Sequence, residues 1–465
     1  MKKFVLFLFV LIASLTACKK DSFITGSQAS VGLSVDTIHF DTVFTSTGSV
    51  THLVKIYNTN DQKLLISAIQ LAGGNNSSFR INADGTPGPV IQNIEIASND
   101  SIYIFATVKI DPSTNNLPFI IQDSISIDFN GNRKWIQLEA WGQNAHFFRA
   151  RTLTTNEVWT NDLPYVITGG LLVNPNITLT IEAGCRIHVH ADAPIFIDGT
   201  LVVNGNTPDS TRVLFTGDRL DDPYRDFPAS WPGIIFRPSS KDNRITNAVI
   251  RNAYQAIVCQ DPSVNTNPRL TLNSTIIDNS YDAGLLGIRT SISAFNCLFS
   301  NNGKNTQLIQ GGKYDFTHCT SASYSNSYLL HQDPVLYITD FIKNGNTVLS
   351  ADLDAKFTNC IFWGDNGTVE NEIITGKLGT GIFSITFVNS LWKAKDDISN
   401  STKVNCLVNQ DPLFDTIDIQ KRIFDFHLKS GSPAINKGVV TVLATDLDGK
   451  NRSIGLPDLG CYEKN

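Results

Sequence analysis

The residues best suited to chemistry lie in one short loop, Asp218-Arg-Leu-Asp-Asp-Pro-Tyr-Arg-Asp226, which leads into Ser230-Trp231. Carboxylate oxygens are the ligands that calcium prefers, and arginine pairs well with the carboxylate of an acidic sugar. The loop therefore predicts a ligand site that takes calcium or an acidic sugar, and its candidate residues are Asp218, Asp221, Asp222, Arg225, Asp226 and Trp231. The competing interpretation, which we favour for this loop, is a solvated loop whose charges pair with one another.

Two further groups have residue types that bind metals. His188 and His190 stand two positions apart, so on a strand both would point outward on one face, with Asp192 as the only carboxylate nearby in sequence. Asp446 and Asp448 in Asp-Leu-Asp-Gly look like calcium ligands, but no glutamate follows at the twelfth position of an EF-hand loop. We favour a solvated histidine pair and a turn held by aspartate-to-backbone hydrogen bonds.

No recognisable catalytic motif accompanies these groups. The sequence lacks a Gly-rich phosphate loop, a Gly-x-Ser-x-Gly elbow and a His-Glu-x-x-His motif. Trp363 and Trp392 have the side chain that stacks on sugar rings, but a role in the core is an equal alternative. The sequence therefore assigns no reaction.

The N-terminus has the pattern of an export signal. Lys2 and Lys3 precede an apolar run too short to span a bilayer, and small residues then lead to a cysteine in Leu15-Thr-Ala-Cys18. This stretch resembles the lipobox of bacterial lipoproteins, whose cysteine is lipidated and becomes the first residue after cleavage. The resemblance implies a signal peptide over residues 1–17, a lipidated Cys18, a tether over 18–30 and a membrane partner. Lys19 and Lys20 favour the outer membrane, and the side that the protein faces stays open.

Charge and cysteine content exclude other classes. The chain has 37 basic and 43 acidic residues and no basic run beyond Lys19-Lys20, so we expect no nucleic-acid partner. Seven cysteines follow Cys18, an odd number that argues against a fully paired disulfide framework. No pair of them has the short spacing of a zinc or redox motif, so small buried side chains are the favoured interpretation.

Residues 31–147 have the pattern of an antiparallel β-sandwich. Apolar and polar residues alternate in segments such as Thr37–Val43 and Ser101–Val108, as expected for strands with one face in a core. Gly73–Ser77 and Asn130-Gly131 interrupt these segments as turns. Seven or so strands in about 115 residues predict an immunoglobulin-like fold.

Residues 148–465 have the pattern of a strand-built solenoid. A motif of Asn, a small residue and apolar residues recurs at intervals of 26, 23, 22, 41, 30 and 16 residues, its copies beginning at Asn247, Asn273, Asn296, His318, Asn359, Asn389 and Asn405. The first three intervals predict one coil each of a parallel β-helix and the fourth predicts about two coils. The small inward residues would form one stack: Ala248, Ser274, Cys297, Cys319, Cys360, Ser390 and Cys406.

Several segments make the resemblance to right-handed parallel β-helix proteins of the pectate-lyase-like superfamily specific: Gly199–Gly205, Val213–Thr216, Ser230–Phe236, Asp411–Phe414, Phe426–Asn436, Asp446–Arg452 and Pro457–Glu463. The last four are similar to a C-terminal closing coil. With the lipobox and the sandwich, the chain resembles envelope lipoproteins of Bacteroidetes-type bacteria. In polysaccharide lyases of this fold, carboxylates hold calcium and a basic side chain removes a proton, whereas hydrolases use paired carboxylates.

Two functions are therefore open. The first is a non-catalytic β-helix on the envelope that binds a glycan or another envelope component, without a resident cofactor. The alternative is a polysaccharide lyase or glycoside hydrolase that acts at the Asp218–Trp231 loop, for which calcium is the candidate cofactor. We favour binding, because no catalytic set accompanies the acidic loop and a fold alone does not specify a reaction.

Overall fold

The computed structural model describes residues 22–45, 49–111, 119–207, 209–452 and 455–464. The chain is all-β, with 54% of residues in strands and 2% in helices, as the sequence predicts. Two compact units divide between Asn144 and Ala145, close to the expected boundary at 147/148. The described residues contain no helix long and apolar enough to cross a membrane. The predicted signal peptide and Cys18 lie outside the described residues.

The first unit contains two five-stranded sheets, and their strands are β1 Val31–Leu33, β2 Thr37–Phe44, β3 His52–Asn58, β4 Leu64–Leu71, β5 Phe79–Ala83, β6 Thr86–Pro87, β7 Val90–Ile96, β8 Ser101–Val108, β9 Phe119–Phe129 and β10 Asn132–Gln143. One sheet has the order β1-β3-β8-β5-β6 and the other the order β2-β10-β9-β4-β7. Strand β2 pairs with β10 in parallel, and the other pairings are antiparallel.

Strict alternation of apolar residues builds the core between these two sheets. In β8, Ile102 and Ile104 are buried while Tyr103 between them is exposed, because successive side chains of a strand point to opposite faces. The buried side chains of both sheets form one apolar cluster, which confirms the predicted immunoglobulin-like sandwich. Part of the expected tether belongs to this unit, since the Ile24 amide donates to the Lys63 carbonyl at 2.8 Å and Ala29 is buried.

The second unit is a parallel β-helix that ends in a C-terminal segment, and its strands are β11 His146–Leu153, β12 Glu157–Trp159, β13 Tyr165–Val173, β14 Thr178–Glu182, β15 Arg186–Val189, β16 Ile195–Ile197, β17 Thr200–Asn204, β18 Val213–Gly217, β19 Ile234–Phe236, β20 Asn243–Thr246, β21 Ala248–Arg251, β22 Gln255–Gln260, β23 Leu270–Asn273, β24 Ile276–Asp278, β25 Ala283–Phe295, β26 Leu298–Ser300, β27 Lys304–Thr317, β28 Thr320–Tyr324, β29 Leu336–Thr339, β30 Phe341–Asn344, β31 Thr347–Ser350, β32 Leu353–Thr358, β33 Ile361–Asp365, β34 Ile373–Gly376, β35 Phe383–Val388, β36 Leu391–Trp392, β37 Thr402–Val404, β38 Leu407–Val408, β39 Phe414–Asp418 and β40 Ile423–Leu428. Across both units, the helices among the described residues are short 3₁₀ turns at Gly74–Asn76, Asp209–Thr211 and Tyr224–Asp226.

Twenty-six of these strands form the wall of the β-helix. Strand β14 pairs with β17, β17 with β20 and β20 with β23, all in parallel, so each coil supplies three strand segments. Thr317 pairs directly with Thr358, so the 41-residue interval between their following residues is one enlarged coil. The prediction of about two coils there was wrong, because the interval contains the antiparallel hairpin β30–β31 instead of a further turn of the helix.

A left-handed residue marks one corner of the coils and explains the repeated motif. Positive φ values of 45–56° occur at Asn247, Ser274, Asn296, His318, Asn359, Asn389 and Asn405. Asparagine tolerates this conformation better than most residues. The residue after each corner turns inward, so Thr275 takes the inward place in the second copy, and the predicted Ser274 is itself the corner. Cys297, Cys319 and Cys360 are fully buried, as expected.

The C-terminal residues run back along the side of the helix instead of adding a further coil at its end. Residues 437–447, the return segment, lie along the corner asparagines. Asn389 donates to the Lys437 carbonyl at 2.7 Å, Asn359 donates to the Val439 carbonyl at 2.8 Å, and Asn296 donates to the Thr445 carbonyl at 2.8 Å. The side-chain amides of the repeat thus bind the backbone of the return segment.

Candidate functional site

The predicted loop leaves the helix after β18 and is held together by its own ion pairs. The Arg219 guanidinium lies 2.7 Å from both carboxylate oxygens of Asp221, and Arg225 Nε lies 2.9 Å from Asp222 Oδ1. Asp218 Oδ2 lies 2.7 Å from Nδ1 of His190. These contacts engage Arg219 and Arg225 within the loop, as the competing interpretation of a salt-bridged loop requires.

Asparagine side chains of the helix wall fix the end of the loop. Asn252 donates to the Arg225 carbonyl at 2.8 Å, and Asn279 donates to the Asp226 carbonyl at 2.9 Å. The two amides are also joined, because Asn279 donates to Asn252 Oδ1 at 2.8 Å. The carboxylate of Asp226 contacts Arg422 at 3.1 Å, which ties the loop to the hairpin β39–β40.

Trp231 differs in placement from the other candidates. Its side chain is 1% exposed and packs in the apolar core of the helix. Its indole N–H donates to the Arg251 carbonyl at 2.9 Å. Trp231 therefore supports the floor beneath the loop and offers no ring face to a ligand. Trp363 and Trp392 are also buried.

The loop, the helix wall and the hairpin border a cavity of about 260 Å³ that is open to solvent on one side. Its lining is polar, with two aromatic rings: Asp226, Arg251, Asn252, Asp278, Asn279, Asn301, Asn326, Tyr328, Lys421, Arg422 and Phe424. Asp226 is the only loop residue in this lining. The structure therefore brings one predicted residue into a site whose other members come from distant coils.

A polar column on the outer face of the helix forms part of the cavity. Arg251 pairs in register with Asp278, and Asp278 pairs in register with Ser300. The preceding residues of these strands belong to the apolar core, so this column points away from it. Ser300 Oγ donates to Asp278 Oδ1 at 2.7 Å. Burial raises the pKa of the Asp278 carboxyl above its usual value, because the charged form loses water.

The two histidines have different surroundings. His190 is exposed and pairs with Asp218, whereas His188 is buried, with Nδ1 at 3.4 Å from the Gly217 carbonyl. Burial lowers the pKa of His188 to about 4, so the ring is neutral at pH 7. Ile187 and Val189 on either side of His188 belong to the apolar core, so His188 points outward as expected but is covered, and only His190 is exposed to solvent.

Asp446 and Asp448 form a tight turn near the C-terminus. Asp446 Oδ1 accepts from the amides of Asp448 and Lys450 at 2.9 and 2.7 Å, and its Oδ2 accepts from the Glu463 amide at 2.8 Å. Asp448 Oδ2 lies 2.8 Å from Nε2 of His427. Backbone amides thus use both oxygens of Asp446, as the favoured interpretation requires. Within the described ranges, no three His, Cys, Asp or Glu side chains are grouped as metal ligands.

Sequence reasoning did not select Arg251, Asp278 or the hairpin residues Arg422 and Phe424 as site members. The available signal was the end of the repeat motif, which reads Arg-Asn at 251–252 and Asp-Asn at 278–279. Charged residues beside a structural corner indicate an outward site, because the strands otherwise alternate with apolar residues.

No protein-family model and no curated protein matches the chain. Solved structures similar to parts of it include a family 123 glycoside hydrolase from Clostridium perfringens, the periplasmic chaperone SfaE and PapD-like domain 7 of human CEP192. Their identities are 10%, 13% and 10%, and their TM-scores are 0.18, 0.17 and 0.17. They cover 24%, 25% and 27% of this chain, which spans 26%, 58% and 92% of theirs. At such low TM-scores these similarities support no conclusion about function.

Proposed function

We propose that this protein is an outer-membrane lipoprotein, anchored through lipid on Cys18, whose β-helix binds a glycan or another envelope component. The observation that carries the proposal is the cavity between the loop, the wall and the hairpin. Its mixture of amides, charged groups and two aromatic rings suits sugar hydroxyls and ring faces. A concave site of this kind binds a ligand without needing a reaction.

The anchor rests on the N-terminal sequence. A basic start, a short apolar run and the Leu15-Thr-Ala-Cys18 motif together support export and lipidation. The β-helix is similar in design to the pectate-lyase-like superfamily, and the sandwich precedes it in the chain as a spacer would.

A second candidate function is hydrolysis or elimination of a polysaccharide at the same place. Asp226 and Asp278 both line the cavity, and burial raises the pKa of Asp278 so that it holds its proton at higher pH than an exposed aspartic acid. Two carboxyl groups in one cavity are the kind of pair that glycosidases use. Arg225 and Asp222, which we proposed from sequence for this activity, pair with each other instead of lining the cavity.

A polysaccharide panel decides between the two functions. Purified protein is applied to a glycan array and incubated with each polysaccharide, with and without calcium, while unsaturated uronate absorbance and reducing ends are followed. We expect retention without turnover, and loss of retention in Asn279→Ala, which removes an amide from the cavity lining and one of the hydrogen bonds that hold the loop to the wall. Turnover that Asp278→Asn or Asp226→Asn abolishes would establish the enzyme, and turnover lost in Asp222→Ala or Arg225→Ala would place it in the loop. Absence of both retention and turnover across the panel would contradict both glycan binding and glycan turnover.

A further inference from the structure

The cations that line the cavity differ in their partners. Lys421 lies 3.5 Å from the Asp418 carboxylate, and Arg422 pairs with Asp226 while its guanidinium lies 4.5 Å from the centre of the Tyr328 ring. Arg251, in contrast, has no ion pair within 4.0 Å among the described residues. Its Nε is buried and has no hydrogen-bond partner there. Arg251 therefore lines the cavity as a cation whose donors are not satisfied by the protein.

None of the neighbouring polar side chains that the structure describes forms an ion pair or a hydrogen bond with the Arg251 guanidinium. Asp278 stands next to it on the adjacent coil, but its carboxyl accepts from Ser300 and lies beyond ion-pair distance from the guanidinium. Asn252 and Asn279 direct their amide groups to the loop carbonyls. Arg251 is half-buried, and the one donor of its guanidinium that is buried, the Nε–H, has lost water without gaining a hydrogen bond, which is costly. An anion with two oxygens matches its planar fork of donors.

We propose that Arg251 binds an anionic group of the ligand, a carboxylate or a sulfate ester, so that the cavity selects acidic over neutral glycans. This inference rests on the proposed function. In this proposal the cation that binds the anion lies on the helix wall, whereas the sequence analysis selected an arginine of the loop. Arg219 and Arg225 are already neutralised by Asp221 and Asp222 and keep the loop in shape.

The test compares ligands that share one backbone. Chondroitin oligosaccharide supplies carboxylates, its sulfated form adds sulfate esters, and its carboxyl-reduced form is neutral. Each is titrated calorimetrically into the full chain in detergent, and inorganic sulfate is tested separately as a thermal stabiliser. The variants are Arg251→Gln, Arg251→Lys as a charge-preserving second variant, and Arg289→Gln as a control in a different groove. Circular dichroism and melting confirm that each variant is folded.

We expect the wild type to bind an acidic form about tenfold or more tightly than the neutral form, and Arg251→Gln to lose this preference. Arg251→Lys should retain part of it, and Arg289→Gln all of it. A stronger effect of the sulfated form would identify sulfate as the preferred anion.

Equal binding of the acidic and neutral forms, or an Arg251→Gln variant with unchanged preference, would overturn the inference while leaving glycan binding intact. If no sugar binds but sulfate stabilises the wild type and not Arg251→Gln, the anion site stands and the glycan function fails. If neither sugars nor sulfate have an effect, both fail.

Discussion

Asp226 Oδ2 lies 3.1 Å from Nη2 of Arg422, a residue 196 positions later in the chain. Both side chains are about one-third exposed, so water screens the attraction and the pair contributes about 0–1 kcal/mol. We expect Arg422→Gln to leave the global melting temperature nearly unchanged while hydrogen exchange accelerates in residues 218–229. Lys421→Gln is the neighbouring control, since Lys421 pairs within its own hairpin. A large fall in melting temperature would show that the contact is worth more than its exposure indicates.

The proposed lipidation of Cys18 predicts how the protein fractionates. Cys18→Ala should yield soluble or uncleaved protein, whereas Cys406→Ala should remain in the membrane fraction because Cys406 belongs to the β-helix. Fractionation with radiolabelled palmitate incorporation measures both properties. Continued membrane attachment and labelling of Cys18→Ala would contradict the anchor.

The buried cysteines should react only slowly with thiol reagents in the native state. Burial raises the pKa of Cys185 to about 11 and that of Cys461 to about 12, and it raises the pKa values of Cys297 and Cys319 well above their usual value. Because the thiolate is the reactive form, we expect slow reaction with a disulfide reagent at pH 8. Cys406, which is half-buried, should react first. All should react rapidly in denaturant, and fast native labelling of several thiols would contradict the burial.

Asn359 combines a left-handed corner with a buried amide that binds the return segment. Its φ is 56°, and its side chain both donates to and accepts from Val439, at 2.8 and 2.9 Å. Asn359→Ala should reduce the free energy of unfolding by about 2–4 kcal/mol, because it adds backbone strain and leaves Val439 unpaired.

Two matched variants separate these effects in urea unfolding. Asn359→Gly removes the amide but tolerates the left-handed backbone, so its loss should be smaller by about 1–2 kcal/mol. Asn405→Ala tests strain alone, since Asn405 has a φ of 52° and an exposed side chain. Equal losses for Asn359→Ala and Asn405→Ala would show that the return segment adds nothing.

His427 should give the C-terminal segment a stability maximum in mildly acidic solution. The hydrogen bond to Asp448 raises the pKa of His427 above 6.5, and the same bond lowers the pKa of Asp448 below 3.8. The histidine's contribution is complete below pH 6.5 and is lost as pH rises through its raised pKa. The aspartate's contribution is complete above pH 3.8 and is lost as pH falls through its lowered pKa. Melting temperatures from pH 4 to 8 should therefore fall above about pH 6.5 in the wild type. The fall should be smaller in His427→Gln, and identical profiles would contradict the coupling.

The periodicity of the sequence predicted the architecture because burial acts locally: alternation defines a strand, and a repeat of about one coil defines a stack. It misplaced the inward residue of the second copy because Ser274 and Thr275 are both small and polar, and only the backbone conformation distinguishes them. It identified the charged loop but not the cavity, since the proximity of Asp226 to Arg251 and Arg422 depends on how distant coils and the hairpin superpose. Contacts between residues this far apart in the chain leave no repeating pattern in the sequence.

The late position of the hairpin and return segment in the chain has a consequence for biogenesis. A solenoid can add coils one after another as the chain emerges, each new coil stabilised by the one before it. The cavity, however, needs residues 421–424 for one wall, and these emerge after every coil of the helix is complete. A chain that ends before residue 421 would therefore contain every coil but lack one wall of the cavity, so the proposed ligand would bind only once the C-terminal residues have folded back.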